Sequence, residues 1–199
     1  MNKLLIFDLD GTLVDCKTLH QRAFRWAINK DYDEELLEGL PTKRKIEILT
    51  SMGWDIDPVR VADIKQQWTF AHIENYVHPN PKLKNTITRL REQGWDVAIC
   101  SNATQKFVNT CLQILEIEDL INSGIYTAST NPAKPATDMW HTCDQFWGLR
   151  GLIHVYEDSP VGILGATQFA KERRSGETRV IKVKDSGDLL VTLDNLREM

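Results

Sequence analysis

Five short apolar segments, at residues 3–7, 96–100, 124–127, 152–156 and 179–183, constrain the fold more than any other feature of this chain. They are rich in Ile, Val and Leu, and most run into turn residues and then a stretch of helical periodicity. That is the pattern of buried parallel strands joined by crossover helices. The helical stretches fall near 82–93, 104–115, 137–146, 160–170 and 187–197. Strand and helix in alternation predict a doubly wound, Rossmann-like α/β fold around a parallel sheet of about five strands.

One stretch breaks the alternation. Residues 15–78 show helical periodicity with breakers at Gly39, Pro41, Gly53 and Pro58, but no strand pattern, and Pro79 and Pro81 punctuate the return. The expected organisation is an α/β core of residues 1–14 and 79–199, with a helical insert of residues 15–78 after the first strand. A chain of 199 residues is long enough for one domain with such an insert.

Charge narrows the partners. The formal net charge is −4, so no global positive field attracts nucleic acid or an anionic membrane. The basic clusters Lys43-Arg44-Lys45 and Lys171-Glu172-Arg173-Arg174 are short and far apart. Apolar runs such as Leu4-Leu5-Ile6-Phe7 fall well below the roughly 18 residues of a membrane span, and Met1-Asn2-Lys3 leads into a strand without a leader pattern. A cytoplasmic monomer is expected. Cys16, Cys100, Cys111 and Cys143 lack C-x-x-C or His/Cys ligand spacing and read as reduced, mostly buried thiols; Cys16, near the first motif, has no identified activating base. Trp26, Trp54 and Trp68 read as packing residues of the insert, and His72 and His78 lack metal-ligand spacing.

The chemistry begins where the first strand ends. Asp8 and Asp10, in Phe7-Asp8-Leu9-Asp10-Gly11-Thr12-Leu13-Val14-Asp15, leave a buried strand together at the sheet edge where active sites of open α/β folds gather. Residues two apart in an extended segment point the same way, and Gly11 permits the sharp turn that follows. Two anions so placed need a counter-charge, and a divalent cation such as magnesium, which takes carboxylate, carbonyl and phosphate oxygens, supplies one. The second core strand ends in Ser101-Asn102 ahead of a helix, so a hydroxyl and backbone N–H groups face the same edge as a cradle for phosphate. Glu157 and Asp158 end the fourth strand and add oxygen ligands opposite Asp8.

The order and form of these motifs resemble the haloacid dehalogenase superfamily of phosphatases and phosphotransferases. The resemblance implies that Asp8 attacks phosphorus to form an aspartyl-phosphate, while Asp10 serves as acid and then base. An aspartate at position 10 favours phosphate chemistry over halide displacement from carbon. Ser101 matches the second-motif hydroxyl. Lys134, in Asn131-Pro132-Ala133-Lys134-Pro135, matches the third-motif lysine that balances the charge of nucleophile and phosphoryl oxygens; Ala133 stands where the family commonly has glycine. Asp8, Asp158 and the Asp10 carbonyl would hold Mg2+, with Glu157 as a direct or water-mediated ligand. Many family phosphatases carry a second acid at the position of Gly162; the E-D-S-x-x-G form seen here is similar to the β-phosphoglucomutase and sugar-phosphate phosphatase branch.

Further implications follow for the substrate. Gly11, Thr12 and Asn102 are expected beside it, and the insert corresponds to that branch's helical cap, with His20 near Asp10. Thr42, Lys43 and Lys45 follow Glu38-Gly39-Leu40-Pro41 in what resembles the substrate-specificity loop, although a capped helix start with a solvated basic face explains them equally. A lid favours a small phosphorylated metabolite, such as a sugar phosphate or nucleoside monophosphate. The reading is a magnesium-dependent phosphatase, with a phosphosugar mutase or a non-catalytic phosphate-binding module as alternatives.

Overall fold

In the computed structural model, which describes residues 2–37, 42–147 and 151–198, the apolar segments pair into one five-stranded sheet of order β3-β2-β1-β4-β5. The strands are β1 (Asn2–Phe7), β2 (Trp95–Ser101), β3 (Ile125–Thr127), β4 (Gly151–Glu157) and β5 (Glu177–Lys182), and every pairing is parallel. Central β1 is covered on both faces, so Leu4, Leu5, Ile6 and Phe7 are all fully buried. β5 begins earlier than its apolar residues, because the ladder with β4 starts at Glu177 opposite Leu152. An edge strand keeps polar residues that hydrophobicity alone does not mark.

Between β1 and β2 lie α1 (Lys17–Ile28), α2 (Glu34–Leu37), α3 (Thr42–Ser51) and α4 (Pro58–His72). The chain divides into a compact unit of residues 1–15 and 77–199 and a second one of residues 16–76. The second unit has its own core of Phe24, Ala27, Ile28, Leu37, Ile46, Leu49 and Val61. Its helix ends carry ordinary signals: the Asp57 carboxylate accepts from the Val59 and Arg60 N–H groups ahead of α4, and left-handed Asn29 closes α1. Trp26 does not pack as expected. It shares the polar stripe of α1 with Arg22 and Arg25 and is 65% exposed, whereas Leu19, Ala23, Phe24, Ala27 and Ile28 take the buried face. Trp54 packs against the core of its unit, and Trp68 stacks on His72 with ring centroids 4.0 Å apart. Residues 38–41, including Gly39 and Pro41, lie outside the described residues.

The sheet is flanked by α5 (Pro81–Glu92), α6 (Gln105–Ile114), α7 (Asp138–Trp147), α8 (Pro160–Glu172) and α9 (Ser186–Asp194). Leu4 and Ile6 point to one face, where they join Met139, Trp140 and Cys143 of α7 and Ala166 and Phe169 of α8; Leu5 and Phe7 point to the other. All four cysteines are buried, as expected. No helix among the described residues is long and apolar enough to cross a membrane.

Two polar groups are buried within this packing. The Arg173 guanidinium, past the end of α8, donates to both Asp144 carboxylate oxygens at 3.2 and 3.1 Å and to the carbonyls of Gly151 and Glu177. It joins α7 to the starts of β4 and β5, and the Arg173 and Asp144 side chains are 2% and 4% exposed. Asp144→Ala strips that buried guanidinium of its counter-charge, so chemical denaturation is expected to show a loss of about 3–5 kcal/mol. His154 on β4 is buried beside the Trp95 ring, its Nε2 without a partner among the described residues. Burial, reinforced by Arg179 and opposed by Glu177, pushes its pKa down to about 4. The fold holds this imidazole neutral, so the stability it contributes is complete above about pH 6.5 and falls as pH drops toward 4. A His154→Phe variant is expected to show a flatter dependence of Tm on pH across that window.

Candidate active site

The register of the sheet assembles the site. Phe7 pairs with Tyr156 and with Ile99, so Asp8 emerges beside Glu157, and the Asp8 N–H donates to the Tyr156 carbonyl at 3.0 Å. The chain then turns at once: the Leu13 and Val14 N–H groups both donate to the Leu9 carbonyl, at 2.9 and 3.1 Å. Gly11 has φ 92°, a left-handed value that strains other residues. A Cβ there would lie 2.1 Å from the Asp158 carboxylate, so glycine also leaves room for that acid.

Lys134, in the loop between β3 and α7, reaches under this edge. Its ammonium donates to Asp8 Oδ1 at 2.5 Å and to Glu157 Oε1, and its side chain is 2% exposed. Burial alone would lower the lysine pKa, but Asp8 and Glu157 outweigh it and hold the ammonium charged. The acids shift the other way. Burial and the Asp8 charge push Glu157 up to about 8 against the pull of Lys134, and burial with the Asp8 charge pushes Asp158 to about 6. Asp8 is raised too, by burial first, with Lys134 opposing and Asp10 adding. More negative charge is concentrated here than one ammonium balances.

A divalent cation fits that imbalance. Asp8, Glu157 and Asp158 each offer a carboxylate oxygen, all within 4.8 Å of one another, and Asp158 Oδ1 is buried without a partner among the described residues. An all-oxygen, anionic donor set suits magnesium. The side chain of Asp10 is outside this trio; the family resemblance assigns its carbonyl, not its carboxylate, to the ion.

Ser101 is 2% exposed at the end of β2. Its hydroxyl accepts from the Ala103 N–H at 3.2 Å and keeps its own proton to donate. Two N–H groups of the following segment have acceptors within the protein: the Gln105 N–H donates to Ser129 Oγ, and the Phe107 N–H to Thr104 Oγ1, the N-cap of α6. The Asn102 side chain is engaged with the Lys134 backbone. Thr12 is fully buried and its hydroxyl has no partner among the described residues. His20, Thr42, Lys43 and Lys45 belong to the helical unit: His20 is on α1, the others are in the first turn of α3, and the Lys45 ammonium stands 5.2 Å from the Phe24 ring centroid.

Two participants escape a reading of motifs. The Trp140 ring lies 5.5 Å from the Lys134 ammonium, a cation–π contact; along the sequence it is only one more apolar residue of α7. Gly162 leaves space for an acid. A Cβ there would lie 2.0 Å from Glu157 Oε2, while the Ser159 hydroxyl accepts from the Gly162 N–H and donates to Glu157 Oε2. The glycine of E-D-S-x-x-G is the only trace of this in the sequence.

The haloacid dehalogenase-like hydrolase family profile matches residues 5–170, a span that includes every residue of the site. The chain belongs to that family. Its class is accordingly that of hydrolase and phosphotransferase enzymes. This haloacid dehalogenase-like protein is 24% identical over 180 residues to a phosphoglycolate phosphatase of Mannheimia succiniciproducens, covering 82% of this chain and 80% of that one. It is 25% identical over 170 residues to a fructose-1-phosphate phosphatase of Escherichia coli, covering 81% and 89%. A β-phosphoglucomutase structure from Clostridium difficile superposes with a TM-score of 0.68 at 18% identity over 98% of both chains, which shows a shared fold.

Proposed function

We propose that this chain is a magnesium-dependent phosphatase that hydrolyses a small phosphomonoester through an aspartyl-phosphate on Asp8. The observation that carries the reading is the convergence of Asp8, Lys134, Glu157 and Asp158 at the ends of β1 and β4. In this reading an Asp8 carboxylate oxygen attacks phosphorus, the P–O ester bond breaks, and Asp10 gives its proton to the departing oxygen. Asp10 then takes a proton from water, whose oxygen attacks the same phosphorus, releasing phosphate and restoring Asp8. The Lys134 ammonium offsets charge on Asp8 and the phosphoryl oxygens, and the Ser101 hydroxyl donates to one of those oxygens. Asp8, Glu157, Asp158 and the Asp10 carbonyl would hold Mg2+, which when bound supplies positive charge to the transferring group. The helical insert is assigned the part of a substrate-selecting cap, with His20, Thr42, Lys43 and Lys45 meeting the substrate. The phosphatases named for phosphoglycolate and fructose 1-phosphate support a small organic phosphate as substrate.

Purified protein is expected to release phosphate from p-nitrophenyl phosphate with Mg2+ and to stop in EDTA. With β-glucose 1-phosphate, free phosphate marks a hydrolase and accumulating glucose 6-phosphate a mutase. Binding without turnover across a broad panel of phosphomonoesters would overturn the reading.

A further inference from the structure

The Lys134 ammonium sits between two acids, yet the lysine stem is a long flexible chain and its residue lies in a loop. Something must fix the backbone from which that stem extends. Lys134 N–H donates to Asn102 Oδ1 at 2.7 Å, and Asn102 Nδ2 donates back to the Lys134 carbonyl at 3.4 Å. One side-chain amide therefore holds both polar groups of a single backbone residue, and among the described residues it is the partner of each. The bridge spans 32 positions of sequence, joining the end of β2 to the loop after β3.

We propose that Asn102 is a positioning residue that places the Lys134 ammonium through the Lys134 backbone, instead of binding substrate with its side chain. The proposal rests on the catalytic role for Lys134 given above. Asparagine suits the task because one planar group offers an acceptor and a donor side by side. Aspartate keeps the acceptor but turns a second acceptor toward the Lys134 carbonyl, and alanine leaves both backbone groups without a partner. Because Ser101 precedes Asn102 and Asn102 grips Lys134, the end of β2 sets the phosphate-binding hydroxyl and the charge-balancing lysine in one frame.

The test is a double-mutant cycle of Asn102→Ala and Lys134→Ala in saturated Mg2+, with kcat and KM measured on p-nitrophenyl phosphate. Misplacing the ammonium by about an ångström is expected to lower kcat about 10–100-fold in N102A with KM changed less than about threefold. N102D is expected to fall between N102A and wild type. N102A adds nothing further in the K134A background, because its effect passes through that ammonium. Hydrogen exchange gives a readout independent of turnover: the Lys134 amide is expected to exchange faster in N102A while the β1 amides keep their protection. A raised KM at unchanged kcat would assign Asn102 to the substrate and overturn the proposal, as would additive effects in the cycle or an unchanged Lys134 amide. Wild-type turnover in K134A sinks the role of the lysine itself; normal loss in K134A with a fully active N102A sinks only the positioning role. If N102A unfolds, N102D carries the same cycle.

Discussion

Asp8→Asn is expected to lower phosphate release by on the order of 10⁴-fold or more while the protein stays folded and, in EDTA, melts at a higher temperature than wild type. Loss of activity follows from the amide, which is no nucleophile toward phosphorus. The gain in stability follows from electrostatics. Burial raises the Asp8 pKa in the fold, so its ionised form is disfavoured there. Without a cation the fold accordingly loses stability as pH rises through the acid's titration, and a neutral side chain removes that loss. Lys134 keeps Glu157 as its partner. Calorimetry with and without Mg2+ separates the two effects, since the variant is also expected to show a smaller rise in Tm on adding the ion. Undiminished phosphate release would eliminate Asp8 as the nucleophile.

Gly162→Ala is expected to be the next most damaging although it adds one methyl group. The new Cβ would lie 2.0 Å from Glu157 Oε2, and Glu157 has nowhere to go: it is fully buried and held by Lys134 and by Ser159. Displacing it costs about 1–3 kcal/mol in overpacking and disorganises the acids that would hold the ion, with activity falling about 100-fold. Gly162→Asp adds a charge to the same collision and is expected to lose more. The reciprocal pair Glu157→Gly with Gly162→Asp moves the carboxylate onto α8, the arrangement common among family phosphatases, and is expected to regain part of the Mg2+-dependent rate. A single Gly162→Asp variant as active as wild type would show that Glu157 yields its place freely.

The strands are legible in the sequence because β1, β2 and β4 are covered on both faces and are mostly apolar; β5 reads late because its first residues satisfy an edge ladder and not a core. Trp26 reads as a packing residue because an indole on an amphipathic helix is apolar by type, whereas its position on the polar stripe decides its exposure. In the site, Asp8, Asp10, Ser101, Lys134, Glu157 and Asp158 stand out through their positions after strands. The grip of Asn102 on Lys134 and the steric pairing of Gly162 with Glu157 do not, since contacts between separate segments leave no periodic trace along the chain. The use of two N–H groups after β2 is hidden for a related reason: Ser129 and Thr104 accept from Gln105 and Phe107.

The hydrogen bond from Lys134 to Asp8 joins residues 126 positions apart, and that separation governs how the protein comes into being. During synthesis β1 leaves the ribosome before both of its neighbours: β2 follows only after the whole of residues 16–76, and β4 about 50 residues later still. The helical unit is contiguous and has its own core, so it can collapse early from local contacts. The sheet must wait, because long-range parallel pairing is slow to form. A nascent chain therefore carries Asp8 with none of its partners. The acidic trio is complete only once β4 has docked against β1 and brought Glu157 and Asp158 beside Asp8.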